Sequence, residues 1–308
     1  MVRNSKDAED ERPRRYASFG AAIEAPKPDA GLYLVATPIG NLGDITLRAL
    51  EVLAGADVIA CEDTRVTRKL ADRFGIETPL TAYHEHNAAE ARPKLLARLA
   101  QGDAVALVSD AGTPLISDPG YKLALAARDA GHPVTALPGA SSVLAALSLA
   151  GLPTDRFFFE GFLPPKQGAR QKRIAALASV PATLVLFESG PRLPESLADL
   201  ASGLGARPAA ICRELTKLHE EVRRGDLDTL AQDYAQGAET RGEIVIVIGP
   251  PPDDDGSAPD VDELLRNALA RVSVKDAVGE VALATGRPRR EVYQRALALA
   301  KDNGDDRE

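Results

Sequence analysis

Four short stretches of this chain bring together residues that could do chemistry. Thr37-Pro38-Ile39-Gly40-Asn41-Leu42-Gly43-Asp44 carries two glycines that let backbone approach a ligand, and Asp44 could cap a helix. It matches neither the spaced-glycine dinucleotide fingerprint nor a lysine-containing phosphate loop. Cys61-Glu62-Asp63-Thr64-Arg65 sets two carboxylates beside a guanidinium. Two readings stand side by side. Asp63 or Thr64 caps a helix while Arg65 pairs locally, or Glu62 or Asp63 orients or deprotonates a hydroxyl while Arg65 holds a phosphate. Ser109-Asp110-Ala111-Gly112-Thr113-Pro114-Leu115-Ile116-Ser117-Asp118-Pro119-Gly120 is a long loop dense in Gly, Pro, Ser and Asp. Long ordered loops inside compact domains usually bind or catalyse. Its poverty in positive charge disfavours a polyphosphate and favours a neutral or cationic ligand. Leu137-Pro138-Gly139-Ala140-Ser141-Ser142 is a small-residue turn that admits a ligand edge or simply caps a helix through Ser141.

Other chemistries find little support. His84-Glu85-His86 resembles a metal-ligand pair, but no third ligand recurs nearby and no metal is expected. Cys61 and Cys212 both sit in apolar, strand-like runs, which argues against a disulfide framework and for a reducing, cytoplasmic setting. No serine or cysteine stands in a nucleophile arrangement.

The candidate loops follow short apolar runs, and the runs alternate with helical stripes. Leu32-Tyr33-Leu34-Val35-Ala36 precedes the first loop, and Leu47, Leu50 and Leu53 repeat after it at helical spacing. Residues 56–61, 104–108 and 134–137 read as further strands. A stripe of Val66, Leu70 and Phe74 and helices over about 123–130 and 141–149 lie between or after them. Such alternation implies a mainly parallel sheet covered on both faces, with ligands at the strands' carboxyl ends. Gly151-Leu152-Pro153 breaks the pattern. A second α/β unit then begins, with strand-like runs at 157–159, 182–187, 209–212 and 243–248. Residues 1–30 are charged and aperiodic and are expected to be a disordered tail. Residues 251–259 read as a linker and 260–308 as a small helical module. Its expected core is Leu264, Leu265, Leu269, Val278, Val281, Val292 and Leu297. The predicted layout is therefore α/β: lobes at 31–150 and 151–250, then the module.

With 308 residues, 44% of them hydrophobic, the chain can bury a two-domain core. No apolar run reaches the roughly 18–20 residues that span a bilayer, and the polar N-terminus has no signal-like stretch. A net charge of −8 argues against wholesale nucleic-acid binding. Local basic patches remain: Lys166, Arg170, Lys172 and Arg173 in one, Arg287, Arg289 and Arg290 in another.

Taken together, LYLVATPIGNLGDITLRALEVLAGADVIACEDTR, LVSDAGTPLISDPG and LPGASS resemble the tetrapyrrole-methylase-like superfamily of S-adenosylmethionine-dependent methyltransferases. Within it they are most similar to the bacterial 16S ribosomal RNA cytidine 2′-O-methyltransferase family. The likeness covers about 31–250 and extends to the module. It implies a two-lobed fold with S-adenosylmethionine in the cleft. Pro38, Ser109, Asp110, Ala111, Gly112, Thr113, Ile116, Ser117, Pro138, Gly139, Ala140 and Ser141 would line the cleft from the first lobe. Phe187, Glu188, Leu215 and Gly242 would close it from the second. It also implies methyl transfer to a decoding-centre cytidine, 1402 by the family's name, in the 16S RNA of the small ribosomal subunit. The protein would be a homodimer, with Glu62, Asp63 and Arg65 as catalytic candidates and Asp118 behind them. The two basic patches would hold RNA, the second within a helix-turn-helix. Two other readings stay open: a porphyrin or corrin methyltransferase of the same superfamily, and a non-catalytic nucleic-acid-binding regulator.

Overall fold

A computed structural model describes residues 13–238, 240–252, 261–269, 271–285 and 287–302. These divide into a compact unit up to Gly249 and a second from Pro250 onward.

The first unit holds two five-stranded sheets. One is built from β3 (Gly31–Val35), β4 (Val58–Cys61), β5 (Leu80–Ala82), β6 (Ala104–Val108) and β7 (Val134–Leu137), in the order β5-β4-β6-β3-β7. Every pairing is parallel. Its helices are α1 (Leu47–Gly55), α2 (Thr64–Phe74), α3 (Ala88–Ala100), α4 (Tyr121–Asp129) and α5 (Ser142–Ala150). Strand alternation divides the core. Ala104, Ala106 and Val108 of β6 pack with Leu50, Leu53 and Leu70, while Val105 and Leu107 pack with Leu95, Leu99 and Leu123.

The second sheet comprises β8 (Phe157–Phe162), β9 (Thr183–Ser189), β10 (Pro208–Arg213), β11 (Glu221–Asp226) and β12 (Glu243–Ile248). Its order is β11-β10-β12-β9-β8, and only β8 and β9 run parallel. Helices α6 (Gln167–Leu177), α7 (Leu193–Leu204) and α8 (Leu227–Ala235) cover one face through Ile174, Leu197 and Leu230, where Ile244, Ile246 and Ile248 meet them. Val245 and Val247 point the other way, onto Val143, Ala146 and Leu147 of α5. One helix of the first lobe thus forms the floor shared with the second.

The structure corrects the expectation of a disordered N-terminal tail within its described part. β1 (Arg15–Ser18) and β2 (Ala21–Glu24) form an antiparallel hairpin. Tyr16 is buried in the first core, and Arg14 pairs with Asp57 at 2.9 Å. Residues 1–12, and 253–260 of the linker and the start of the module, lie outside the described residues.

The second unit contains α9 (Val261–Leu269), α10 (Val274–Thr285) and α11 (Arg289–Asp302). Leu265, Val278, Val281 and Val292 are buried there, with Leu264 and Leu269 packed against them. Leu297, expected in this core, is instead exposed; Ala296 and Leu299 take the inward positions of α11.

Candidate active site

All four loops lie at the carboxyl edge of the parallel sheet, stitched around the third. Thr37 and Gly112 exchange backbone hydrogen bonds of 2.9 Å, and the Thr37 hydroxyl donates to the Ser109 carbonyl at 3.1 Å. The Thr113 hydroxyl donates to the Ala140 carbonyl at 3.2 Å. The Asp63 N–H donates to Asp110 Oδ1 at 3.0 Å. The third loop holds Leu115 and Ser117 at φ of 76° and 61°, a left-handed conformation that costs non-glycine residues free energy. Such strain persists only where surrounding contacts over-determine it.

Opposite this edge stand the ends of the second sheet's strands. Between the two walls lies a cavity of about 310 Å³. Ala111, Gly112, Thr113, Ile116, Ser117 and Ser141 line it from the first lobe, and Phe187, Glu188, Leu215 and Gly242 from the second. Pro38, Ser109, Asp110, Pro138, Gly139 and Ala140 do not reach the cavity surface. They shape its rear: Ser109 is buried, and a Cβ on Gly139 would lie 2.7 Å from Ala36 Cβ. Ile39 and Ser142 of the first and fourth loops and Glu243, which the resemblance also places in the cleft, line it too; Val143, Phe162, Ser189, Cys212, Ile244 and Val245 were missed in the sequence. Most belong to antiparallel strands or helix starts that carry no loop-like composition.

Among the described residues the lining contains three carboxylates, Asp118, Glu188 and Glu243, and no Lys, Arg or His. Glu188 is saturated: it accepts from the Ser189 N–H at 2.8 Å and the Ser196 hydroxyl at 2.5 Å, with Arg192 at 3.5 Å. Glu243 is paired with Lys217 at 2.9 Å. Asp118 has no ion pair among the described residues. Burial raises its pKa; a hydrogen bond with Ser109 opposes this and the nearby Asp110 adds to it. Burial also raises the Glu62 carboxyl, helped by Asp110, Asp118 and Asp63. Glu62, Asp110 and Asp118 therefore form a like-charged group beside the cavity.

Asp63 belongs to a different category. Its carboxylate caps α2 by accepting from the Arg65 N–H at 2.8 Å and pairs with the Arg65 guanidinium at 2.6 Å. These contacts pull its pKa down to about 2. A carboxylate held this acidic is a weak proton acceptor, and its geometry is that of a helix cap paired with Arg65. Arg65 is largely exposed despite its pairing. Among the described residues no three His, Cys, Asp or Glu side chains group as metal ligands.

The comparisons with known proteins agree with this architecture. Residues 31–231 match the model of the Tetrapyrrole (Corrin/Porphyrin) Methylases, and residues 255–300 match the RsmI C-terminal HTH domain. Ribosomal RNA small subunit methyltransferase I of Mesorhizobium japonicum is 53% identical over 92% of this chain and 97% of its own length. The chain belongs to the ribosomal RNA small subunit methyltransferase I family. The protein of the same name from Pseudomonas aeruginosa is 44% identical over 86% of this chain and 96% of its own. Among solved structures, uroporphyrin-III-C-methyltransferase from Thermus thermophilus superposes with a TM-score of 0.52 at 26% identity, covering 71% of this chain and 94% of that one. Diphthine synthase, at 20% identity, shares the fold with a TM-score of 0.56 over 71% of this chain and 89% of its own.

As a member of this methyltransferase family, the chain uses S-adenosylmethionine as its methyl donor. The cavity fits that molecule. A sulfonium and an ammonium are both cations, and the lining offers three carboxylates, of which Glu188 and Glu243 already face Arg192 and Lys217 while Asp118 has no ion pair among the described residues. Ile39, Val143 and Phe187 supply apolar wall for a flat heteroaromatic ring. The sequence argument against a polyphosphate holds for the whole lining, not only the third loop.

The two basic patches of this family member diverge. Arg170 cannot meet RNA: it is buried, and its Nε donates to Asp199 at 2.6 Å. Arg173 is committed to both oxygens of Glu160, at 2.5 and 2.6 Å. Lys166 and Lys172 are exposed and form no ion pair with a described residue. Arg287, Arg289 and Arg290 are likewise exposed and unpaired among the described residues, at and before the start of α11.

Proposed function

We propose that this chain methylates the 2′-hydroxyl of a decoding-centre cytidine in 16S ribosomal RNA, the position 1402 of the family's name. The observation that carries the reading is the union of a cation-free, carboxylate-lined cavity with a like-charged carboxyl group at its edge. The donor brings a methyl group already activated on sulfur, so the protein must align the acceptor oxygen, exclude water and accept a proton. The stitched loops fix the cavity wall. Ile39, Val143, Phe187 and Leu215 keep water out. Glu188, anchored by hydrogen bonds from Ser189 and Ser196, presents its carboxyl group to the cavity.

Asp118, with Glu62 beside it, accepts the ribose hydroxyl proton, and Arg65 meets an RNA phosphate. Both carboxyls are raised, so turnover falls with decreasing pH through a value above the ordinary carboxylate range. A pH–rate profile of the wild type checks this, and Asp118→Asn should lower turnover at every pH. A limb near 2, the value of Asp63, would contradict it.

The same reading makes the protein a cytoplasmic homodimer acting on the small ribosomal subunit, with the exposed arginines of the helical module contacting RNA. The direct test incubates the protein and labelled S-adenosylmethionine with undermethylated small subunits, free 16S RNA or a porphyrinogen. Label in the small subunits supports the reading, and label in the porphyrinogen alone overturns it.

A further inference from the structure

Four of the chain's seven phenylalanines, Phe157, Phe158, Phe159 and Phe162, lie on β8, the edge strand of the second sheet. Three of them are more than a third exposed, and Phe162 is the most open at 55%. An exposed aromatic forfeits burial that a core position would provide, so a concentration of them on one edge marks a binding surface. Phe162 is also placed with care. A register shift between Phe159 and Gly161 makes a bulge, with Gly161 at a φ of 75°. Bulges beside active sites re-aim the side chain that follows. Here it is Phe162, which lines the cavity. A side chain at Gly161 would meet Ser117 Oγ at 3.1 Å, so the third loop packs directly on the bulge. Behind Phe162 stands Phe187, edge-to-face at 5.6 Å, and Phe159 contacts the same ring at 4.9 Å. The three rings form a braced series whose outermost member opens to solvent. Ile116, 46% exposed, is a second open apolar side chain on the lining.

We propose that Phe162 is the platform on which an unpaired RNA base stacks when its ribose enters the cavity. The proposal rests on the reading of the chain as an RNA 2′-O-methyltransferase. A 2′-hydroxyl reaches a recessed cavity only if its nucleotide is splayed from its neighbours, and the freed base then needs a new stacking partner. Phe162 offers an aromatic face without hydrogen-bonding groups, so it supplies affinity and leaves base identity to other contacts. Half-exposure at the rim places it where an entering nucleotide passes. The donor's adenine has the half-buried Phe187 and the buried Val143 and Leu215 deeper in the lining.

Three measurements on the full chain test this. Phe162→Ala should raise KM for the small subunit by about tenfold or more, given the usual worth of one base–aromatic stack. Phe162→Trp should restore it. The dissociation constant for S-adenosylmethionine, measured by calorimetry without RNA, should change far less than KM for both variants. A short single-stranded RNA carrying 2-aminopurine should show stacking-induced quenching with the wild type and not with Phe162→Ala. A rise in the S-adenosylmethionine dissociation constant with KM for RNA unchanged would assign Phe162 to the donor and overturn the proposal. Wild-type behaviour of Phe162→Ala in both methyl transfer and quenching would overturn it too. Absence of methyl transfer by the wild type would instead strike the underlying function, so the two failures are distinguishable.

Discussion

The start of α6 and the start of α11 look alike in sequence: each packs several basic residues into about a dozen positions. They differ in what the fold does with the charge. In α6, Arg170 is buried against Asp199, with Glu195 3.6 Å away, and Arg173 is held by Glu160. In α11, Arg289 and Arg290, with Arg287 just before them, have no acidic partner among the described residues. Charge already matched within the protein releases few counterions on meeting RNA, whereas unmatched charge at a helix start is available to phosphate. A count of arginines therefore says little about nucleic-acid binding until their partners are known.

The largest expected effect is at Arg170. Arg170→Ala should destabilise the first unit by about 3–5 kcal/mol, because it strands a buried carboxylate. Thermal or urea unfolding measures it. Burial alone would raise the Asp199 pKa, but hydrogen bonds from Gln171 and Arg170 outweigh it and hold the group below its usual value. The native pairing thus contributes fully at neutral pH and is lost as pH falls through that lowered value. The stability gap between Arg170→Ala and wild type should accordingly narrow in acid.

Next comes Arg287→Ala/Arg289→Ala/Arg290→Ala. Unfolding should be almost unchanged, while the slope of log affinity for RNA against log salt should flatten by about two units for three lost phosphate contacts. An unchanged slope would break the comparison. Lys166→Ala/Lys172→Ala should flatten the same slope by about one unit, because both lysines are exposed. The smallest effect is Arg173→Ala. The Arg173 guanidinium, 42% exposed, is already held by a Glu160 side chain that is only 9% exposed, so RNA affinity should barely move.

The same contrast explains what was legible in the sequence. Four strands of the parallel sheet and its four loops could be read because Gly, Pro, Ser and Asp, or in the second loop two carboxylates and an arginine, gather at the end of an apolar run, whereas the three-residue β5 is too short to show. Arg170 was misread because Asp199 lies 29 positions away, on another helix. The N-terminal hairpin escaped notice because its strands are only four residues long, in a segment flanked by charge. The second wall of the cavity was the least legible. On β12, Ile244 and Val245 both reach it, yet alternate strand positions look the same whether they face a core or a cavity. Phe162 lies beyond the strand-like run read at 157–159, and the bulge that turns it toward the cavity is invisible without pairing register.

In the proposed function the cavity delivers a methyl group to a ribose oxygen of a 16S RNA cytidine. The most direct measurement is nucleoside mass spectrometry of small subunits treated with the protein and S-adenosylmethionine carrying a deuterated methyl group. The label should appear in 2′-O-methylcytidine, at one site, and be lost with Asp118→Asn. Label on a base carbon or nitrogen, or full labelling by Asp118→Asn, would contradict it.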